Sequence, residues 1–154
     1  MIEVRNLNKS FGNFKSLDNL SLNVKKGSVY GLVGPNGAGK TTFIKNLMGI
    51  YRPDSGSMTV DGEEVYENPA LKQKIIYISD DLFFFTTYSI LDTAKLYADI
   101  YKDWDWETFN KLKEIFKIDV KRKCCRLSKG MQKQVAFWLG ICTKPDLMVL
   151  DEPM

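Results

Sequence analysis

Apolar and polar residues alternate in Ile2-Glu3-Val4 and again in Leu20-Ser21-Leu22-Asn23-Val24, the period of strands with one buried face. Residues 28–33 form a further β-prone run, set off by the Lys26-Gly27 turn. From Thr42 the spacing changes: Phe43, Ile44, Leu47 and Met48 recur as on one face of a helix that ends near Gly49. Residues 52–56 are a turn cluster. Residues 57–60 and 63–66 flank Asp61-Gly62, which predicts a hairpin. Residues 68–74 predict a helical turn, and residues 74–78 a buried strand running into Ser79-Asp80-Asp81.

The second half is helical in period. Ser89 and Asp92 have the spacing of a capping box, and Ile90, Leu91, Ala94, Leu96, Tyr97, Ile100 and Tyr101 give the next helix its apolar face. Asp105 caps a helix over 106–116, with Trp106, Phe109, Leu112, Ile115 and Phe116 expected inward. Together these predict a small helical subdomain, about residues 82–126, inserted into an α/β body. Ser128, Lys129 and Gly130 open another helix through Met131 to Ile141, stopped by Lys144-Pro145. Residues 146–150 then read as a buried parallel strand that ends in Asp151-Glu152.

Composition narrows the classes. The chain has 154 residues, enough for one domain with a real core, and a net charge of +3, too small to call for a nucleic-acid partner. No run has the length of a membrane span and the N-terminus has no signal-peptide shape, so a cytoplasmic place is expected. The three cysteines show no disulfide framework; the adjacent Cys124 and Cys125 are either a reactive pair or structural thiols. With no histidine, histidine bases and zinc–histidine sites are excluded.

Gly34-Pro35-Asn36-Gly37-Ala38-Gly39-Lys40-Thr41 fits G-x-x-x-x-G-K-[ST] without a gap, between a β-prone run and a helix. Glycines let successive N–H groups of residues 36–42, Thr42 included, curl towards phosphate oxygens, and the helix start adds unpaired donors. Lys40 can reach the β- and γ-phosphates, and the Thr41 hydroxyl can ligate Mg²⁺. Asp151 is the second candidate metal ligand, directly or through water, and Glu152 can orient a water for in-line attack on ATP. Phe11 and Phe14, beside Gly12, are either packing residues or rings for adenine to stack on.

Three stretches, 34–42, Leu127-Ser128-Lys129-Gly130-Met131-Gln132 and 147–153, resemble in order the Walker A, signature and Walker B motifs of the ATP-binding-cassette (ABC) transporter ATPases. Ile2-Glu3-Val4-Arg5-Asn6-Leu7 with Lys9-Ser10-Phe11-Gly12 also resembles the family's opening. The resemblance covers essentially the whole chain, residues 1–154, as one cassette domain. It implies an α/β P-loop NTPase fold with a RecA-like parallel core sheet, an N-terminal antiparallel β subdomain and the helical insertion. It also implies ATP and Mg²⁺ as cofactors, hydrolysis coupled to transport, and Phe11 as the adenine-stacking ring. The implied partners are a second cassette subunit, identical or different, joined head to tail, and transmembrane subunits that hold the chain at the membrane. Ser128 and Gly130, at a helix start, would then face the partner's γ-phosphate. The aromatic run over residues 82–88 is a candidate groove for a membrane subunit.

Three departures stand out. Lys129 replaces a signature Gly and Met131 its Gln. Asp80 stands where the family commonly has Gln, so a water-mediated metal role carries to a shorter, charged side chain. The chain stops soon after Walker B, with the later core strands missing. The expectation is a fragment of a longer cassette that alone is rearranged, aggregation-prone or completed by another chain. Two other readings remain at this point: a soluble cassette ATPase unconnected to transport, and a nucleotide-binding or assembly module without turnover.

Overall fold

The computed structural model describes residues 1–151; Glu152 lies outside them. The chain divides into two compact units, Met1–Lys72 and Gln73–Met154.

In the first unit, β1 (Ile2–Phe11), β2 (Phe14–Val24) and β3 (Ser55–Val60) form an antiparallel sheet in the order β2-β1-β3. Ile2 and Val4 obey the two-residue period, but the next buried residue is Leu7. The register shifts between Val4 and Leu7, and Asn6 takes a left-handed φ of 48° there, a conformation Asn tolerates better than most residues. Asn8 pins this irregularity: its side-chain amide donates to Asn6 O at 2.8 Å, and its Oδ1 accepts from Asn19 N at 2.9 Å. Helix α1 (Lys40–Leu47) packs Phe43, Ile44 and Leu47 towards β2 and β3. The short helix α2 (Pro69–Lys72) follows, as the polar segment predicted.

Two expected strands fail in this unit. Residues 28–33 take no regular secondary structure, with Val29 at 103% and Val33 at 94% exposure. Their β-prone composition has no ladder to join among the described residues, and a strand owes its stability to its ladder. The Asp61-Gly62 turn does form, with φ of 50° and 85°, but the hairpin stops after the Val60–Glu63 bridge. β3 pairs with β1 instead, and Val65 leaves the ladder for the core at 3% exposure.

In the second unit, β4 (Ile75–Ile78) and β5 (Leu147–Leu150) pair in parallel, Ile75 opposite Leu147. Around them lie α3 (Ile90–Ile100), α4 (Trp106–Phe116), a 3-10 turn (Cys124–Arg126) and α5 (Lys129–Cys142). The Ser89–Asp92 capping box forms, and Asp105 accepts from the N–H groups of Glu107 and Thr108. α5 crosses β4 closely at Gly140, where a Cβ would lie 3.3 Å from Ile78 Cδ1 and 3.4 Å from Ile76.

The centre of this unit is Trp138 on α5, fully buried. Its ring stacks on Phe109 at 4.6 Å and on Phe116 at 5.6 Å, and its Nε1 donates to Phe109 O at 3.1 Å. Phe109, Leu112 and Phe116 therefore define the inner face of α4, whereas Ile115 points outward at 69% exposure. Ile100 and Trp106 are also turned partly to solvent, at 50% and 40%. Cys124 and Cys142 are buried thiols; Cys125 is exposed, and all three are free.

Trp138→Ala should remove the stacking partner of two rings and leave a cavity. The expected loss in urea unfolding is about 3–5 kcal/mol, enough to abolish native near-ultraviolet dichroism. A change below about 1 kcal/mol would show that α5 is held from elsewhere.

Candidate functional site

The Gly-rich stretch is shaped by β2. Ala38 N–H donates to Pro35 O at 3.2 Å and closes the turn. Gly39 then adopts φ of +87°, and a Cβ there would sit 2.4 Å from Ser16 O. No side chain fits that approach, so a glycine is required on both grounds. Ser16 also donates its hydroxyl to Thr42 Oγ1 at 2.8 Å. One β2 residue thus fixes the end of the turn and the start of α1. Gly39 caps the helix without a side-chain acceptor, so the first-turn N–H groups lack intrahelical partners.

Lys40 curls back over this turn. Its Nζ donates to Gly34 O at 2.6 Å and to Pro35 O at 3.0 Å. An incoming phosphate would replace neutral carbonyls by charged acceptors, and charge-assisted bonds are the stronger ones. Asn36, Gly37, Ala38 and Thr41 are exposed.

Phe11 sits at the tip of the β1–β2 hairpin, paired with Phe14 across the Gly12 turn and 44% exposed. Tyr51 meets its ring edge to face at 5.3 Å, and Lys9 Nζ lies 5.7 Å from its centroid. Asp54 holds Lys9 at 2.8 Å and accepts from Ser10 N at 2.6 Å, so the strand end carrying Phe11 is anchored. The Lys9 ammonium, and then the Ser10 amide, hold the Asp54 carboxyl below its usual range.

The candidate acids of the second unit lie after its two strands. Asp151 N–H donates to Ile78 O at 2.9 Å, continuing the parallel ladder, and its Oδ2 accepts from the Tyr77 hydroxyl at 3.1 Å. Burial, followed by the Asp151 charge and this bond, pushes the Tyr77 phenol up to about 12. Asp80 is ion-paired to Lys133 of α5 at 2.8 Å. That hydrogen bond and charge, with a further contribution from Lys129, hold the Asp80 carboxyl below its usual range. At the start of α5, Ser128 Oγ accepts from Met131 N at 3.3 Å, and Ser128, Lys129 and Gly130 are exposed.

The candidate metal ligands read from the sequence, the Thr41 hydroxyl in the first unit and the Asp80 and Asp151 carboxylates in the second, offer only oxygens. Such hard ligands suit Mg²⁺, which keeps several waters and shares its shell with phosphate.

Residues 17–154 match the family model described as ABC transporter. The chain belongs to this ABC transporter family. The B. subtilis (strain 168) ABC transporter ATP-binding protein YtrB is 35% identical over 153 residues, covering 99% of this chain and 52% of YtrB. The chain therefore spans about half the length of that relative. A solved ATP-binding subunit of an ABC transporter superposes with a TM-score of 0.90 at 24% identity, over 100% of this chain and 67% of that one. A cassette solved as a dimer after hydrolysis, with ADP and phosphate bound, superposes at 0.83 with 20% identity, over 100% of this chain and 75% of that one. These last two show the shared α/β fold.

Within this ABC-family chain the first unit gathers the turn of residues 34–42 with Ser16. The second gathers Asp80 with Lys133, and Asp151 with Tyr77. Ser16, Tyr77 and Lys133 were missed in the sequence. Only Tyr77, a phenol within an otherwise aliphatic strand, carried a local signal. Glu152 falls outside the described residues.

The Tyr77 phenol has a folded value above the ordinary 10, so its contribution to stability is full below pH 10 and lost as pH rises towards 12. Subtracting the tyrosinate absorbance of Tyr77→Phe from that of the unaltered chain should isolate a midpoint near 12. Asp151→Asn should bring it down only part-way, because burial remains. A midpoint of 10 would remove the Tyr77–Asp151 contact.

Proposed function

We propose that this chain is the ATP-binding part of an ATP-hydrolysing transporter subunit. The observation that carries the reading is the Gly39 turn with Lys40 folded across it: an anion cradle of main-chain amides with its own movable cation. The amides of residues 36–42 would bind the β- and γ-phosphates, and Lys40 would leave its carbonyls for them. Phe11, steadied by Tyr51, would stack on adenine.

Thr41 and Asp151, with Asp80 through water, are the residues that would hold magnesium; it would neutralise charge on the phosphate oxygens. Glu152 would orient the attacking water. Tyr77 keeps one Asp151 oxygen in place by donating to it. Lys40 would stabilise charge as the γ-phosphoryl group separates.

The exposed start of α5 would present the Ser128 and Gly130 N–H groups to ATP on a second cassette, the head-to-tail arrangement expected of the family. The helical part, about residues 82–126, would carry the contact with membrane subunits. Phe83 at 80% and Phe85 at 49% exposure are the apolar side chains offered there, whereas Phe84 packs against the core. Beside them opens a cleft of about 410 Å³ lined by Thr87, Tyr88, Asp92, Lys95, Leu96 and Asp99. No helix among the described residues is long and apolar enough to cross a membrane.

Glu152→Gln should abolish ATP turnover in the full-length protein and preserve ATP affinity, while Lys40→Ala should weaken affinity itself. Turnover unchanged in Glu152→Gln would remove Glu152 from the mechanism. Affinity unchanged in Lys40→Ala would remove the cradle.

A further inference from the structure

Residues 49–54 run from the end of α1 back to β1, and the run is fastened at both ends. The chain leaves α1 through Gly49, at φ of +63°, where a Cβ would lie 3.0 Å from Val65 O. A side chain is strained there on both counts. Ile50 N–H and Tyr51 N–H then both donate to Lys45 O, at 2.9 and 3.1 Å, so the run begins folded onto the last turn of α1. At its other end Asp54 N–H donates to Asn8 O at 2.9 Å, and the Asp54 carboxylate accepts from Lys9 Nζ and Ser10 N–H. Between these anchors the Tyr51 ring makes its T-shaped contact with Phe11 at 5.3 Å, and the Lys45 ammonium lies over the Tyr51 ring at 5.5 Å. Phe14, across the hairpin turn, is 60% exposed and has no ring contact among the described residues, so Tyr51 singles out Phe11 of the two. The run thus ties the helix of the phosphate turn to the aromatic tip of the β1–β2 hairpin, all inside the first unit.

We propose that Tyr51 is a positioning residue that sets the base platform at a fixed place relative to the phosphate turn. This rests on the reading above, in which Phe11 stacks on the base and the amides of residues 36–42 hold the phosphates. A base and its phosphates are joined, so both contacts form together only where platform and turn stand at the right separation. A half-exposed ring at a hairpin tip, left alone, would have to be ordered on binding, and that cost would be subtracted from affinity. The contact with Tyr51 meets part of it in advance, and Lys45 steadies Tyr51 in turn. Because Tyr51 hangs from Lys45 O, Phe11 is placed from the same helix whose first turn carries the phosphate-binding amides. Asp54 fixes the strand end by which Phe11 is carried. Tyr51 acts through Phe11 and not on the phosphates.

The test compares two ligands of the full-length protein, ATP and inorganic tripolyphosphate, each titrated with Mg²⁺ present. Tyr51→Leu should weaken ATP by about two- to tenfold, the range expected of an edge-to-face ring pair, and leave tripolyphosphate unchanged. Tyr51→Phe should stay near the unaltered value for both, because the ring is kept. In a Phe11→Ala background, Tyr51→Leu should have no further effect on ATP. Asp54→Ala should weaken ATP in the same direction, and it serves if Tyr51→Leu does not fold. ATP affinity unchanged in Tyr51→Leu and Asp54→Ala, with Phe11→Ala still weakening it, overturns the proposal while the stacking reading stands. An equal loss of ATP and tripolyphosphate affinity in Tyr51→Leu also overturns it, because the residue would then support the unit as a whole. ATP affinity unchanged in Phe11→Ala overturns both.

Discussion

The close approach of Gly39 to the Ser16 carbonyl decides the geometry of the phosphate turn. A turn that must place several N–H groups on one side needs left-handed residues, and Gly37 and Gly39 supply them at φ of 83° and 87°. At Gly39 the backbone of β2 occupies the space a side chain would need, so the turn is held from below as well as bent. The Ser16–Thr42 hydroxyl bond fastens the helix start to the same strand residue. Lys40 completes the arrangement by satisfying Gly34 and Pro35 carbonyls that the curl leaves pointing inward. The turn is thus held by contacts within its own unit, and on the proposed reading little ordering would remain to oppose phosphate binding.

The second unit solves a different problem, that of keeping charged groups at defined places on a partly solvated edge. Trp138 anchors α5 through two ring stacks and one hydrogen bond, all inside the helical core. Because α5 is fixed, its first turns carry Ser128, Lys129, Gly130 and Lys133 at set positions. Asp80 is located by Lys133, and Asp151 by Tyr77 and the Ile78 carbonyl. Both carboxylates are steered by neighbours whose own positions follow from buried packing, an economical way to place acids without burying them.

What the sequence made legible was local. The caps at Ser89 and Asp105 and the helix opened by Ser128 each depend on residues within a few positions, and each forms as expected. The Asp61-Gly62 turn was legible too, but its second arm was not, because Val65 gains more from the core than from the ladder. Residues 28–33 illustrate the same limit: β-prone composition cannot say whether a partner strand is at hand. Ile115 looked apolar enough to be inside, yet the face is chosen by Phe109 and Phe116 stacking on Trp138. At the site, the glycine-rich spacing announced the curl of the backbone, and Gly37 and Gly39 take left-handed φ there. Ser16 and Lys133 were invisible, and Tyr77 showed only as a phenol among aliphatic residues, because their meaning lies in partners 26, 53 and 74 residues away.

The cradle is tested most directly by adding a single methyl group to its backbone. Gly39→Ala meets both the positive φ and the Ser16 carbonyl, and changes no charge and no donor. Titrating Mg²⁺·ATP into this variant and the unaltered protein should show affinity falling by about tenfold or more, with the far-ultraviolet dichroism of the sheet retained. Equal affinities would contradict the account, because a main-chain cradle that tolerates this distortion is not what holds the phosphates.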